Sequence, residues 1–128
     1  MAYGTLIDTD ILTDVLRGYV PAAHYLRGSP EPFSISAISI AELFQHIKDG
    51  RERGALSGLL SVVEVIPIDS TIAERAGVIR RDYGDSHGVT MNDAFIAATA
   101  DRHNLMLATL HPRHYPTIKR VTTPYRRP

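Results

Sequence analysis

Ala94-Phe95-Ile96-Ala97-Ala98-Thr99-Ala100 is a stretch with no broad side that could face water. Asn92 stands just ahead of it as a candidate N-cap, so the segment reads as a helix. A helix apolar all round must be enclosed by protein or lie in a bilayer. No apolar run here approaches the roughly 20 residues that span a membrane. The chain must therefore wrap this helix with its own elements.

Those elements alternate. Thr5-Leu6-Ile7 reads as a buried strand ending at Asp8, and spacing predicts a helix over 10–17, stopped by Gly18. A second short helix is expected over 21–26, with Pro21 in its first turn and Gly28 just past its end. Phe33-Ser34-Ile35 reads as a brief strand. Ser39-Ile40-Ala41-Glu42 matches a capping box opening a helix to about Gly50. Further helices are expected over 55–60 and from Asp69 or Ser70 to about Tyr83-Gly84, with residues 85–88 as loop. The β-branched residues 62–68, the run 105–108 and the neighbourhood of Val121 read as strands, with a histidine-rich loop before the last. No linker or repeat divides residues 1–128, so one α/β domain with a mostly parallel sheet is expected. Such sheets bind ligands beyond the carboxyl ends of their strands.

The chain has no cysteine, which excludes a disulfide scaffold, a thiolate metal site and a cysteine nucleophile. That composition suits a reducing cytoplasm, and Met1-Ala2-Tyr3-Gly4 shows no leader pattern. The formal charge of zero conceals an asymmetry. Residues 1–101 carry all 14 acids and 8 basic side chains, a balance of −6, while residues 102–128 carry six basic side chains and no acid. A basic end on an acidic body suits a polyanion or an acidic surface, or a tail that neutralises its own domain.

Three acids occupy comparable positions. Asp8 closes the first strand, while Glu42 and Asp93 are each expected in the first turn of a helix. Singly, each has a structural explanation as a cap or a partner for a helix dipole. Together they are predicted to converge at one sheet edge, where carboxylates repel unless a cation sits between them. Oxygen ligands favour Mg²⁺ or Mn²⁺ over zinc.

These segments resemble the motifs of PIN-domain ribonucleases: Asp8-Thr9-Asp10 after a short strand, Ile38-Ser39-Ile40-Ala41-Glu42-Leu43, residues 92–100 and residues 107–116. Length and motif order are similar to the VapC toxins of VapBC toxin–antitoxin modules. The resemblance implies a three-layer α/β/α fold and Mg²⁺- or Mn²⁺-dependent cleavage of RNA, with tRNA or rRNA as the target class. It implies Asp8 and Asp93 as metal-binding acids and Glu42 as the adjoining catalytic acid. It also implies a VapB-like antitoxin partner, a homodimer and larger toxin–antitoxin assemblies, while the short apolar runs themselves predict no membrane. Many members carry Asp or Asn where this chain has His111; histidine suits Mn²⁺ better than Mg²⁺. A degenerate PIN-like binding module and another metal phosphohydrolase remain alternatives.

Other motifs are weaker. No Gly-x-Ser-x-Gly elbow or phosphate-binding Gly-x₄-Gly-Lys loop occurs. The six histidines form no helical His-x₃-His pair. Arg75, Arg80 and Arg81 read as a solvated face or an RNA-binding rim, and Tyr83 and Tyr115 as candidates to stack on a base.

Overall fold

The computed structural model describes residues 4–29 and 32–127; Met1, Ala2 and Tyr3, read above as lacking a leader pattern, lie outside them. Thr5–Ile7 (β1) leads into Thr9–Leu16 (α1) and Val20–Gly28 (α2). Phe33–Ser36 (β2) is followed by Ala37–His46 (α3) and Arg51–Leu60 (α4). Glu64–Ile66 (β3), Ser70–His87 (α5), Met91–Arg102 (α6), Met106–Ala108 (β4) and Val121–Thr122 (β5) complete the order. Among the described residues no helix is long and apolar enough to cross a membrane.

Among the described residues five strands form one sheet in the order β3-β2-β1-β4-β5, and every neighbouring pair is parallel. The chain begins at the centre, steps outward through β2 to β3, then crosses back to place β4 on the other side of β1. Connections leaving β1 and β4 therefore diverge, which opens a crevice beyond their carboxyl ends.

Side chains of successive strand residues point to opposite faces, and this alternation builds two cores. Leu6 and Leu107 pack with Ile72, Ala76, Ala94 and Ala97 beneath α5 and α6. Ile7, Ile35 and Ala108 pack with Ile11, Leu12, Leu43 and Leu56 beneath α1, α3 and α4. The result is the expected three-layer α/β/α arrangement.

Helix α6 is the enclosed one. Ala94, Ile96, Ala97, Ala98, Thr99 and Ala100 are all at most 1% exposed. Thr99 Oγ1 donates to the Phe95 carbonyl at 2.8 Å and lies 3.5 Å from Ser36 Oγ of β2. Small residues on the helix and the strand allow this close approach.

Several boundaries differ from the expectations. Helix α3 starts three residues earlier than the Ser39–Glu42 pattern suggests, because Ser36 caps it by accepting from the Ile38 N–H. Glu42 consequently lies in the second turn, not the first. Helix α6 is capped by Thr90 rather than Asn92: Thr90 Oγ1 accepts from the Asp93 N–H and Asp93 Oδ2 from the Thr90 N–H, each at 3.1 Å. Helix α5 runs through Gly84 to His87, with the Arg80 side chain lying over Gly84. Its stop is Gly88, whose φ of 65° is readily adopted only without a Cβ. Gly28 is the last residue of α2 instead of following it.

The basic end folds back on the body. Arg127 makes a two-pronged ion pair with buried Asp14 through Nε at 3.0 Å and Nη2 at 2.9 Å, and the Tyr125 hydroxyl donates to the same carboxylate at 2.8 Å. The Tyr125 ring rests against Tyr19, centroids 5.6 Å apart. Arg127 thus follows the self-neutralising reading.

Ala98 is fully buried, so a larger side chain there must displace packed neighbours. Ala98→Leu is expected to cost about 1–3 kcal/mol by overpacking, read as a lower urea midpoint with an unchanged slope.

Candidate functional site

The crevice beyond β1 and β4 is where the acids gather. Asp8 follows β1 directly, and its N–H donates to the Ala108 carbonyl at 2.9 Å, so the β1–β4 ladder continues into the site. Its extended backbone makes it the N-cap of α1, with Oδ1 accepting from the Thr9 N–H at 2.7 Å. Oδ2 faces the crevice and accepts from the Thr109 hydroxyl at 2.7 Å and the Tyr115 hydroxyl at 2.9 Å. Asp8 is only 6% exposed.

Tyr115 joins Asp8 to Asp93. Its phenol is 2% exposed, and its hydroxyl also lies 3.3 Å from Asp93 Oδ1. Burial and the charges of Asp8 and Asp93 push the phenol above its ordinary pKa, so it stays a donor. Two carboxylates from distant parts of the chain thus meet on one hydroxyl. The stacking role considered for Tyr115 is ruled out by this burial.

Asp10 forms the neighbouring wall. Its Oδ1 accepts from the Ile11 N–H at 2.7 Å and its Oδ2 from the Leu110 N–H at 2.9 Å. Burial raises its pKa, while the Leu110 N–H and the His111 ring oppose the rise. Asp8 is pushed up to about 7, first by burial and then by the charge of Asp10, with Asp93 adding a smaller push against the hydroxyls of Thr109 and Tyr115. A cation here would relieve a cost that the fold already carries.

Glu42 stands apart from the aspartates. Its Oε1 accepts from Thr9 Oγ1 at 2.6 Å, and the same hydroxyl lies 2.8 Å from buried Ser39 Oγ. The link to Asp8 therefore runs through the adjacent residue Thr9. Among the described residues no three of His, Asp and Glu close on one point as a finished metal cage. Asp8 and Asp93 are nevertheless hard oxygen donors held side by side, and Mg²⁺ commonly takes only one or two protein carboxylates. The donor set fits such an ion.

The histidine-rich segment borders the acids. Pro112–His114 forms one turn of 3₁₀ helix. It sets His114 Nδ1 3.3 Å from Asp93 Oδ2 and His111 Nε2 3.8 Å from Asp10 Oδ2. The two imidazoles stack with centroids 5.7 Å apart. In contrast, the arginines of α5 follow the solvated reading. Arg75 pairs with Asp101 at 3.2 Å and Arg81 with Asp82 at 2.9 Å, both on exposed surface where such pairs contribute little.

Thr9, Thr109 and the positioning role of Tyr115 escaped the sequence reading. Their signal was faint: a hydroxyl residue within two positions of the end of each central strand, and a tyrosine in the loop after β4.

This arrangement has counterparts. The PIN domain profile matches residues 5–116, and the chain belongs to the PIN-domain family. Within it, the chain is 38% identical over 123 residues to Ribonuclease VapC10 of Mycobacterium tuberculosis, covering 94% of this chain and 92% of that protein. A toxin-antitoxin complex from Klebsiella pneumoniae contains a chain 32% identical, with a TM-score of 0.81 over 96% of this chain and 99% of that one. FitAcB from Neisseria gonorrhoeae superposes with a TM-score of 0.74 at 26% identity, covering 94% and 97% of the respective chains.

The raised pKa of Asp8 has a sign that melting curves read. The folded state holds this proton more tightly than the unfolded chain, so between pH 4 and 7 folding binds protons and stability falls as pH rises. In a chelator, Asp8→Asn is expected to stabilise the protein at pH 8 relative to wild type by a few kcal/mol at most, and to leave pH 4 nearly unchanged. Equal wild-type and variant slopes between those pH values would refute it.

Proposed function

We propose that this PIN-domain protein is a divalent-metal-dependent endoribonuclease, the toxin half of a toxin–antitoxin pair. The observation that carries the reading is the meeting of Asp8 and Asp93 on the Tyr115 hydroxyl, at the crevice where the connections diverge. The relatives support the substrate: one bears the name of a ribonuclease and another is part of a toxin-antitoxin complex.

Asp8 and Asp93 would hold the ion, Mg²⁺ or Mn²⁺. When bound, it supplies an acidified water and offsets charge on a phosphoryl oxygen. The chain's own residues do the rest. Tyr115 and Thr109 fix the direction of the Asp8 carboxylate, so little reorganisation is required when substrate arrives. Glu42, itself held by the Thr9 hydroxyl, would orient the attacking water or a second ion. Asp10, pinned by two backbone N–H groups, shapes the wall beside His111. The target would be a cellular RNA of the tRNA or rRNA class, met in the cytoplasm.

The antitoxin would take the groove between α1, α3 and α4, a cavity of about 110 Å³ lined by Leu16, Arg17, Glu42, Leu43 and Ile47 among others. Because Glu42 reaches this groove, a basic side chain of a VapB-like partner inserted there would engage a catalytic carboxylate. Homodimers within a larger complex complete the proposal.

Asp93→Asn tests the reading. It preserves the cap with Thr90 but removes a metal-binding charge. Cleavage of single-stranded RNA and tRNA in Mg²⁺ is expected to fall by at least about a hundredfold, and Mn²⁺ heats in titration calorimetry to vanish, with melting temperature kept. Wild-type cleavage by this variant would overturn the assignment; cleavage of DNA but not RNA by the native protein would overturn the substrate.

A further inference from the structure

A second feature adjoins the acids without being part of them. A recess of about 390 Å³ is walled by His87, Gly88, His111, Pro112, Arg113 and His114, with Leu110 and Ser86 at its margin. This volume lies in the ~300–1,000 Å³ range of sites for small ligands. Among the described residues no carboxylate lines it. Its border with the acidic centre is drawn by the two imidazoles, His114 beside Asp93 and His111 beside Asp10.

Its chemistry is the complement of its neighbour. A polyanion entering a crevice of aspartates is repelled except where a bound cation neutralises it. It must therefore gain its attraction from the flanks. Arg113 is exposed and has no hydrogen bond or ion pair with another described residue, so its guanidinium is available to a phosphate. The side chain of His111 is 54% exposed while its ring stacks on His114, so half of this aromatic side chain is open to solvent at the recess wall. On the other side of the His111–Pro112 ridge lies a further recess of about 440 Å³ carrying Arg126 and Arg127. A strand lying across that ridge meets arginine on both sides and the aspartates beneath.

We propose that the recess seats one nucleotide of single-stranded RNA next to the bond that is cut, its phosphate on Arg113 and its base against His111. This rests on the nuclease reading and adds where the substrate lies. Gly88 contributes by its backbone: its left-handed φ of 65° turns the chain from α5 toward α6, and a Cβ there would stand 3.9 Å from the His114 ring. The turn thus brings the Gly88 backbone beside the imidazole at the recess wall.

The test is binding, measured apart from cleavage. Anisotropy of a labelled random-sequence single-stranded RNA pool is followed in Ca²⁺, with RNA length checked afterwards. Arg113→Ala is expected to weaken binding roughly three- to tenfold and to lower the logarithmic salt slope by about 0.7. Arg113→Lys should recover most of the affinity. Arg102→Ala, at the far end of α6, is the control and should change neither quantity. Equal losses from Arg113→Ala and Arg102→Ala, or no loss from Arg113→Ala, would overturn the proposal. In that event RNA cleavage by the native protein in Mg²⁺ leaves the nuclease reading standing. A native protein that neither binds nor cleaves RNA would overturn both.

Discussion

Asp8 is buried at the carboxyl end of the central strand, and its carboxylate is held by two hydroxyls instead of a countercharge. That single placement organises the site. Hydroxyls satisfy hydrogen-bonding capacity without supplying positive charge, so the carboxyl remains costly to ionise. An arginine in the position of Tyr115 would have quenched the same carboxylate and removed the incentive to bind a cation. The phenol also spans to Asp93, which turns two local helix-start residues into one centre. Stability is surrendered at the crevice and recovered in the two apolar layers beneath it.

The layers explain why the crevice is where it is. Helix α6 is so rich in alanine that it can approach the sheet closely, with Ser36 and Thr99 facing each other across the contact. Its first turn then reaches the end of β4 and β1. Because β4 returns to the other side of β1, the connections leaving these neighbouring strands run in opposite directions. A crevice of this kind follows from topology. Its chemistry comes from which residues close the two strands, here Asp8 and Thr109.

Much of this was legible along the chain. Residues 94–100 demanded enclosure because no face could be solvated, and all of them except half-buried Phe95 are enclosed. The alternation of short β-branched runs with helices specified the parallel sheet, since parallel neighbours require crossovers. Boundaries were less legible where two residues could serve as a cap. Ser36 and Ser39 are both chemically competent, and the strand that ends at Ser36 decides between them. Thr90 wins over Asn92 because its partner three residues on, Asp93, closes a reciprocal pair. Gly84 looked like a helix stop and is not one, because the backbone there stays helical beneath the Arg80 side chain.

Charge pattern and hydrophobic period are local properties, and from them the chain alone determined the α/β class, the enclosed helix and the candidacy of Asp8, Glu42 and Asp93. What lies between those residues is set by contacts over a hundred positions apart, and only the tertiary structure decided it. Tyr115 meets Asp8 across such a distance, and Glu42 reaches the centre only through Thr9. Hydrogen-bond geometry depends on tenths of an ångström after packing, and no one-dimensional spacing carries that information.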